Sequence, residues 1–216
     1  MSEPLLSEIP AEHRERLAKI LAQAYIAERN TESALGVLDT YVRAQPRDAQ
    51  ALALLASLHL AQGRHARATT LMQDALQNRE EPDFRVVLGR SMMRTGQSGG
   101  AIEEFEKALS FEPNDFETRR AYAWALYNLN EPEKAAAQFR LAQDLTGELN
   151  SDLVAGICLA AAAVRNTTEA TTAFRQLVAL DPVWKDASYI ASLPGWTQRE
   201  LRALEVVRGN LFPKQR

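Results

Sequence analysis

The 216-residue chain has little of what most catalytic and membrane chemistries need. A single cysteine, Cys158, cannot form a disulfide within the chain, which fits a reducing compartment. The three histidines are His13, His59 and His65; no cysteine lies near the last two, so zinc-ligand spacing is missing. An excess of one charge is also missing. With 25 Lys and Arg against 28 Asp and Glu, the net charge is −3 and is spread along the chain, which leaves no basic footprint for nucleic acid. The longest apolar run, Leu153 to Val164, has 12 residues and falls short of the roughly 20 that span a bilayer, so it reads as a buried helix with no membrane insertion. The opening MSEPLLSEIPAEHRERL lacks the positive start, apolar core and small-residue cleavage site of a secretory signal, which sets a cytoplasmic expectation. No phosphate loop of the form G-x-x-x-x-G-K-[ST] appears, and no cofactor is expected. No window alternates with period two over several residues, so strands are not expected.

What the chain does have is self-similarity. Alanines at 34, 68, 101, 135 and 170 are separated by 34, 33, 34 and 35 residues. Around each alanine the same order recurs. A small residue precedes it (Ala22, Ala56, Gly89, Ala123), and four residues after it comes a large apolar one (Leu38, Met72, Phe105, Phe139, Phe174). The i, i+3, i+4 spacing is that of amphipathic helices, and the small residues let two helix backbones approach closely. Gly63 and Gly96 stand where a helix must reverse, because glycine takes a positive φ at little steric cost. Pro46, Pro113 and Pro182 close second helices.

These residues resemble the tetratricopeptide repeat (TPR), a helix–turn–helix unit of 34 residues. The match is densest in the third unit, through Leu88, Gly89, Met92, Gly96, Ala101, Phe105, Ala108 and Pro113. The fourth unit lacks the closing proline, and the fifth is weakest, with Cys158 at the small contact. The resemblance implies an all-α, right-handed superhelical solenoid. The expected organisation is an N-terminal lead over 1–14, five units over 15–182 (about 15–48, 49–81, 82–115, 116–150 and 151–184) and capping helices over 183–216. The stretch from Val183 to Trp196 is rich in large apolar residues and reads either as a short extra helix packed on the fifth unit or as an element that docks a partner. After it, Thr197 and Glu200 have capping-box spacing, Leu201, Leu204 and Val207 share a face, and Gly209 marks the expected end. In the lead, Leu5, Leu6 and Ile9 either cover the first unit or occupy a groove in the same or a neighbouring chain, which would make a homo-oligomer.

The pentapeptide Gly96 to Gly100 (GQSGG) fits the G-x-S-x-G pattern of a hydrolase nucleophile at Ser98. That elbow needs a strand before the serine and a histidine after it, whereas here a helical pattern precedes Ser98 and all three histidines come earlier. It therefore reads as the turn of the third unit, and no catalytic residue is expected. Glu80-Glu81 and Glu103-Glu104 read as solvated helix faces. His59 falls at a bulky packing position.

The resemblance also implies a function, a non-catalytic scaffold that binds a partner protein or peptide in a concave groove lined by the first helix of each unit. Carried across position by position, that groove holds Lys19, Leu54, Val86, Val87, Arg90, Met93, Arg94, Arg120, Trp124, Tyr127 and Asn128. The fifth unit adds Ala155, Gly156 and Leu159. The family's carboxylate-clamp positions are Lys19, Gln23, Leu54, Asp83 and Val87 here, of which only Lys19 matches, and this argues against a clamp for a C-terminal carboxylate. A dedicated chaperone for a secreted or assembled substrate is a variant of the same reading.

Overall fold

A computed structural model describes residues 11–193 and 197–212, with side chains from residue 17. The lead through Pro10, and with it Leu5, Leu6 and Ile9, lies outside the described residues, as does Trp196. Twelve α-helices follow in order: α1 (Ala11–Ala27), α2 (Thr31–Ala44), α3 (Ala49–Ala61), α4 (His65–Asn78), α5 (Pro82–Arg94), α6 (Ser98–Phe111), α7 (Phe116–Asn128), α8 (Pro132–Thr146), α9 (Ser151–Ala163), α10 (Thr167–Leu180), α11 (Ala187–Ser192) and α12 (Gln198–Leu211). A short 3-10 turn, Pro182–Lys185, separates α10 from α11. Among the described residues there is no strand, and no helix is long and apolar enough to cross a membrane.

The helix starts are set by side chains that accept hydrogen bonds from otherwise unpartnered first-turn N–H groups. Asp48 accepts from the Ala51 N–H at 3.1 Å, Asp115 from Thr118 at 3.3 Å and Asn150 from Leu153 at 3.2 Å. Asn30 and Asn166 do the same for α2 and α10. Thr197 and Glu200 complete the expected capping box of α12.

The reversals within the hairpins share one backbone device. Arg29, Gly63, Gly96, Asn130 and Arg165 stand five residues before the repeat alanines, and all have positive φ, from 57° to 78°. In every case the next N–H reaches back to a carbonyl five residues earlier, as in Asn30 to Tyr25 at 2.8 Å and Asn166 to Ala161 at 2.9 Å. This is the left-handed helix ending that favours glycine. Only two of the five turns have one. An L side chain held in that region costs about 1–2 kcal/mol. Arg165→Gly is therefore expected to raise stability by about 1 kcal/mol, read as a higher urea midpoint at unchanged slope. A lower midpoint would mean that the Arg165 side chain holds the turn instead.

The described chain divides into two compact units, Met1–Glu104 and Phe105–Arg216, with the boundary inside α6. In the first unit, α1 through α5 pack in chain order, and the first helices α3 and α5 also meet. Its core is formed where Ala22, Ala34, Ala56 and Ala68 let helices close on Leu38, Leu55 and Met72, all with no exposed surface. A buried hydrogen bond of 2.7 Å between the Thr69 and Ser91 hydroxyls joins α4 to α5. In the second unit, α7 packs on α8, α8 on α9 and α9 on α10. Phe105, Phe139 and Phe174 have no exposed surface, and Ala123, Ala135 and Ala170 are buried with them. Burying each ring contributes about 1.5–3 kcal/mol.

The described C-terminal segment of this unit packs on its last hairpin. Trp184 in the 3-10 turn and Ile190 in α11 are buried, with the Trp184 and Tyr189 rings edge-to-face at 5.5 Å. Leu201, Leu204 and Val207 turn α12 onto α9 and α10. Three details differ from expectation. Gly209 does not end α12, which continues to Leu211 because its backbone there stays helical. The fourth hairpin, lacking a proline, closes at Gly147 with φ 69°. Glu104 is not solvated. It is 9% exposed because the Arg85 guanidinium bridges it to Glu80, and Arg79 takes up Glu81.

Candidate functional site: the first-helix faces

Each unit presents its own first-helix side chains. In the first unit, α5 carries Val86, Val87, Arg90, Met93 and Arg94 at the i, i+3, i+4 spacing that places them on one stripe. Val86, Val87 and Met93 are half-buried, while Arg90 and Arg94 are exposed. On α3, Leu54 is half-buried against the core. On α1, Lys19 does not face outward alone. Its ammonium lies 2.7 Å from Asp48, which also accepts from the Tyr41 hydroxyl at 2.9 Å. Burial works to raise the Asp48 pKa, but Lys19, the Ala51 N–H and Tyr41 outweigh it and hold the carboxyl below its usual range. Lys19 thus fixes the start of α3. Its neighbour Ile20, 49% exposed, supplies apolar surface that the sequence reading did not single out.

In the second unit, α7 carries Arg120, Trp124, Tyr127 and Asn128. Arg120 donates to Asp152 at 2.8 Å and to Glu117 at 2.6 Å, so its charge ties α7 to α9. Trp124 is half-buried, edge-on to Phe139 at 4.9 Å and to Tyr127 at 5.9 Å. Tyr127 is only 3% exposed, and Arg199 lies over its ring at 5.4 Å. Burial pushes its phenol pKa up, against the pull of that arginine. Asn128 is exposed. In the fifth hairpin, Ala155, Gly156 and Leu159 are buried, so α9 forms the floor of this face.

Helix α12, a cap by its sequence pattern, also lines the pocket beside α7 and α9. A cavity of about 210 Å³ is bounded by Tyr127, by Leu159 and Ala162 of α9, and by Arg199, Ala203 and Val206 of α12. A signal for this was present. Thr197 caps α12 as Asp115 caps α7 and Asn150 caps α9, which puts Arg199 and Val206 in first-helix register.

Other chemistry is structural. Ser98 opens α6 and is preceded by α5 and the turn around Gly96, so the pentapeptide is a helix–turn–helix joint and not a strand-to-helix elbow. His59 is buried, and desolvation, helped by Arg64, lowers its pKa.

Hairpins that repeat every 33 to 35 residues, each offering a first-helix face, define a helical-repeat protein of the kind that binds other proteins. A sequence model described as tetratricopeptide repeat matches residues 21–82, and a second with the same description matches 72–188, more than half of the chain. The chain belongs to the tetratricopeptide repeat family. No curated protein matches it in sequence. Among solved structures, MamA from Desulfovibrio magneticus RS-1 is similar with a TM-score of 0.72 at 18% identity, over 77% of this chain and 94% of that one. MamA of strain AMB-1 is similar at 0.68 and 19%, over 85% and 99%. YrrB, described as a TPR protein with an unusual peptide-binding site, is similar at 0.66 and 19%, over 74% and 83%. At these identities the likeness is one of fold, the TPR helical-repeat fold.

Proposed function

We propose that the chain is a scaffold that holds a partner protein through an extended or helical peptide laid on its first-helix faces, with the five units bounded as the sequence reading set them. The observation that carries this is the α5 stripe. Two exposed arginines, Arg90 and Arg94, stand beside half-buried Val86, Val87 and Met93. Arginine and methionine are enriched at protein interfaces, and an apolar stripe flanked by arginines suits a peptide with apolar anchors and acidic side chains. The peptide-binding site named for YrrB, a structure of the same fold, is consistent with such a partner.

The test begins with peptides selected from a displayed random library on the intact chain, with affinities measured by fluorescence anisotropy. Arg90→Glu combined with Arg94→Glu should weaken them at least about tenfold, because repulsion replaces attraction at the same positions. The melting temperature should stay within about 1–2 °C, since exposed substitutions rarely exceed about 0.5 kcal/mol. Unchanged affinity would remove the α5 stripe from the site. Loss of folding would show that these arginines serve packing instead.

A further inference from the structure

The cavity between α7, α9 and α12 adds a specific demand to that reading, on which the following inference rests. We propose that it is a subsite for one large apolar side chain of a bound peptide, with Arg199 and Arg202 of α12 taking an acidic residue next to that side chain.

Three observations converge on this. The first is register. Counting nine residues from the N-caps of α7, α9 and α12 gives Trp124, Leu159 and Val206. Trp124 is held by Phe139 and Leu159 is fully buried, but Val206 is 62% exposed, the most exposed large apolar side chain among those described. A helix that only terminated the array would present a polar residue there.

The second is charge. Counting two residues from the same caps gives Glu117, Asp152 and Arg199. Both acids are consumed by Arg120. Arg199 touches the Tyr127 ring and the Asn130 side-chain oxygen at 3.3 Å, and among the described residues it pairs with no carboxylate. Arg202, exposed one helical turn further on, extends the same cationic edge. An acidic group on the ligand would complete what the fold leaves uncompensated.

The third is size. An apolar cavity of about 150 Å³ accommodates a benzene ring. At about 210 Å³ this one has room for a single leucine or phenylalanine side chain, and its lining of Leu159, Ala162, Ala203 and Val206 offers that side chain an apolar contact.

The probe is a capped heptapeptide with a central leucine between two aspartates, added at up to millimolar concentration to ¹⁵N-labelled full-length chain. A dissociation constant of about 0.1–1 mM is expected, equivalent to about 4–5.5 kcal/mol. Amide shifts should concentrate at Ala162, Ala163, Ala203 and Val206, with the Arg199 side-chain signal moving as well. Val206→Glu should abolish the shifts. Arg199→Gln with Arg202→Gln should weaken binding three- to tenfold, and the corresponding lysine pair should recover most of it. A twin peptide with lysines in place of the aspartates should not bind. Equal binding of both twins, shifts centred elsewhere, or no shifts at all would overturn the subsite. If library peptides prove indifferent to the Arg90, Arg94 variant while this probe binds the wild-type chain with shifts at the cavity, the α5 proposal fails and this one stands.

Discussion

Phe139→Ala should be the most damaging single truncation in the second unit, costing about 3–5 kcal/mol. The ring has no exposed surface, meets Trp124 edge-on at 4.9 Å and lies against the backbone of α9 at Gly156. Its removal leaves a cavity that two helices border, and Trp124 loses the contact that orients it. Cys158 supplies the readout. It is the chain's one cysteine, fully buried on α9, and burial pushes its thiol up to about 12. At pH 8 the native thiol should therefore react with a disulfide reagent only through opening of this unit. Phe139→Ala should accelerate labelling by about two to three and a half orders of magnitude, since each 1.4 kcal/mol is a factor of ten. A change below about threefold would mean that the ring does not hold α8 to α9.

Gly156→Ala probes the same contact from the other side and should also destabilise, by about 1–3 kcal/mol. At an ordinary helical site this substitution gains about 1 kcal/mol in propensity. Here the added carbon would lie 2.6 Å from two carbons of the Phe139 ring, inside the distance at which anything can remain unmoved. Phe139→Leu, which shortens the opposing side chain, should recover part of the loss, and the double-mutant cycle would report the coupling. Gly99→Ala is the control. Nothing stands within 4 Å of the carbon it adds, so it should be neutral or stabilising. If Gly156→Ala proved stabilising, the close approach of α8 and α9 would be wrong.

The parts of this fold legible in the sequence were those governed by repetition. Ala34, Ala68, Ala101, Ala135 and Ala170 gave the period, and the large side chains four residues later proved fully buried, because a helix–helix contact tolerates few alternatives at its tightest point. The turns were legible at Gly63 and Gly96 but not at Arg29 and Arg165, where tertiary packing imposes a left-handed residue that local preference would not choose. The faces were legible as positions and not as states. Position alone could not reveal that Lys19 is engaged by Asp48, that Arg120 is shared between Glu117 and Asp152, or that Tyr127 lies under Arg199. Ion pairs between residues 19–32 positions apart, such as Arg85 with Glu104 and Arg120 with Asp152, leave no mark in a period of 34.

Those internal ion pairs have a consequence for how the molecule meets others. Its net charge of −3 gives a weakly repulsive far field toward anionic chains. Arg85 and Arg120 each pair with two carboxylates, so the local charge of Glu80, Glu104, Glu117 and Asp152 is already offset within the fold. At physiological ionic strength fields decay over about 8 Å. An acidic segment would therefore be discouraged at a distance and drawn in only at close range and in the orientation that reaches the exposed arginines. Selection of partners by such a surface acts through the geometry of the final approach, while long-range steering contributes little.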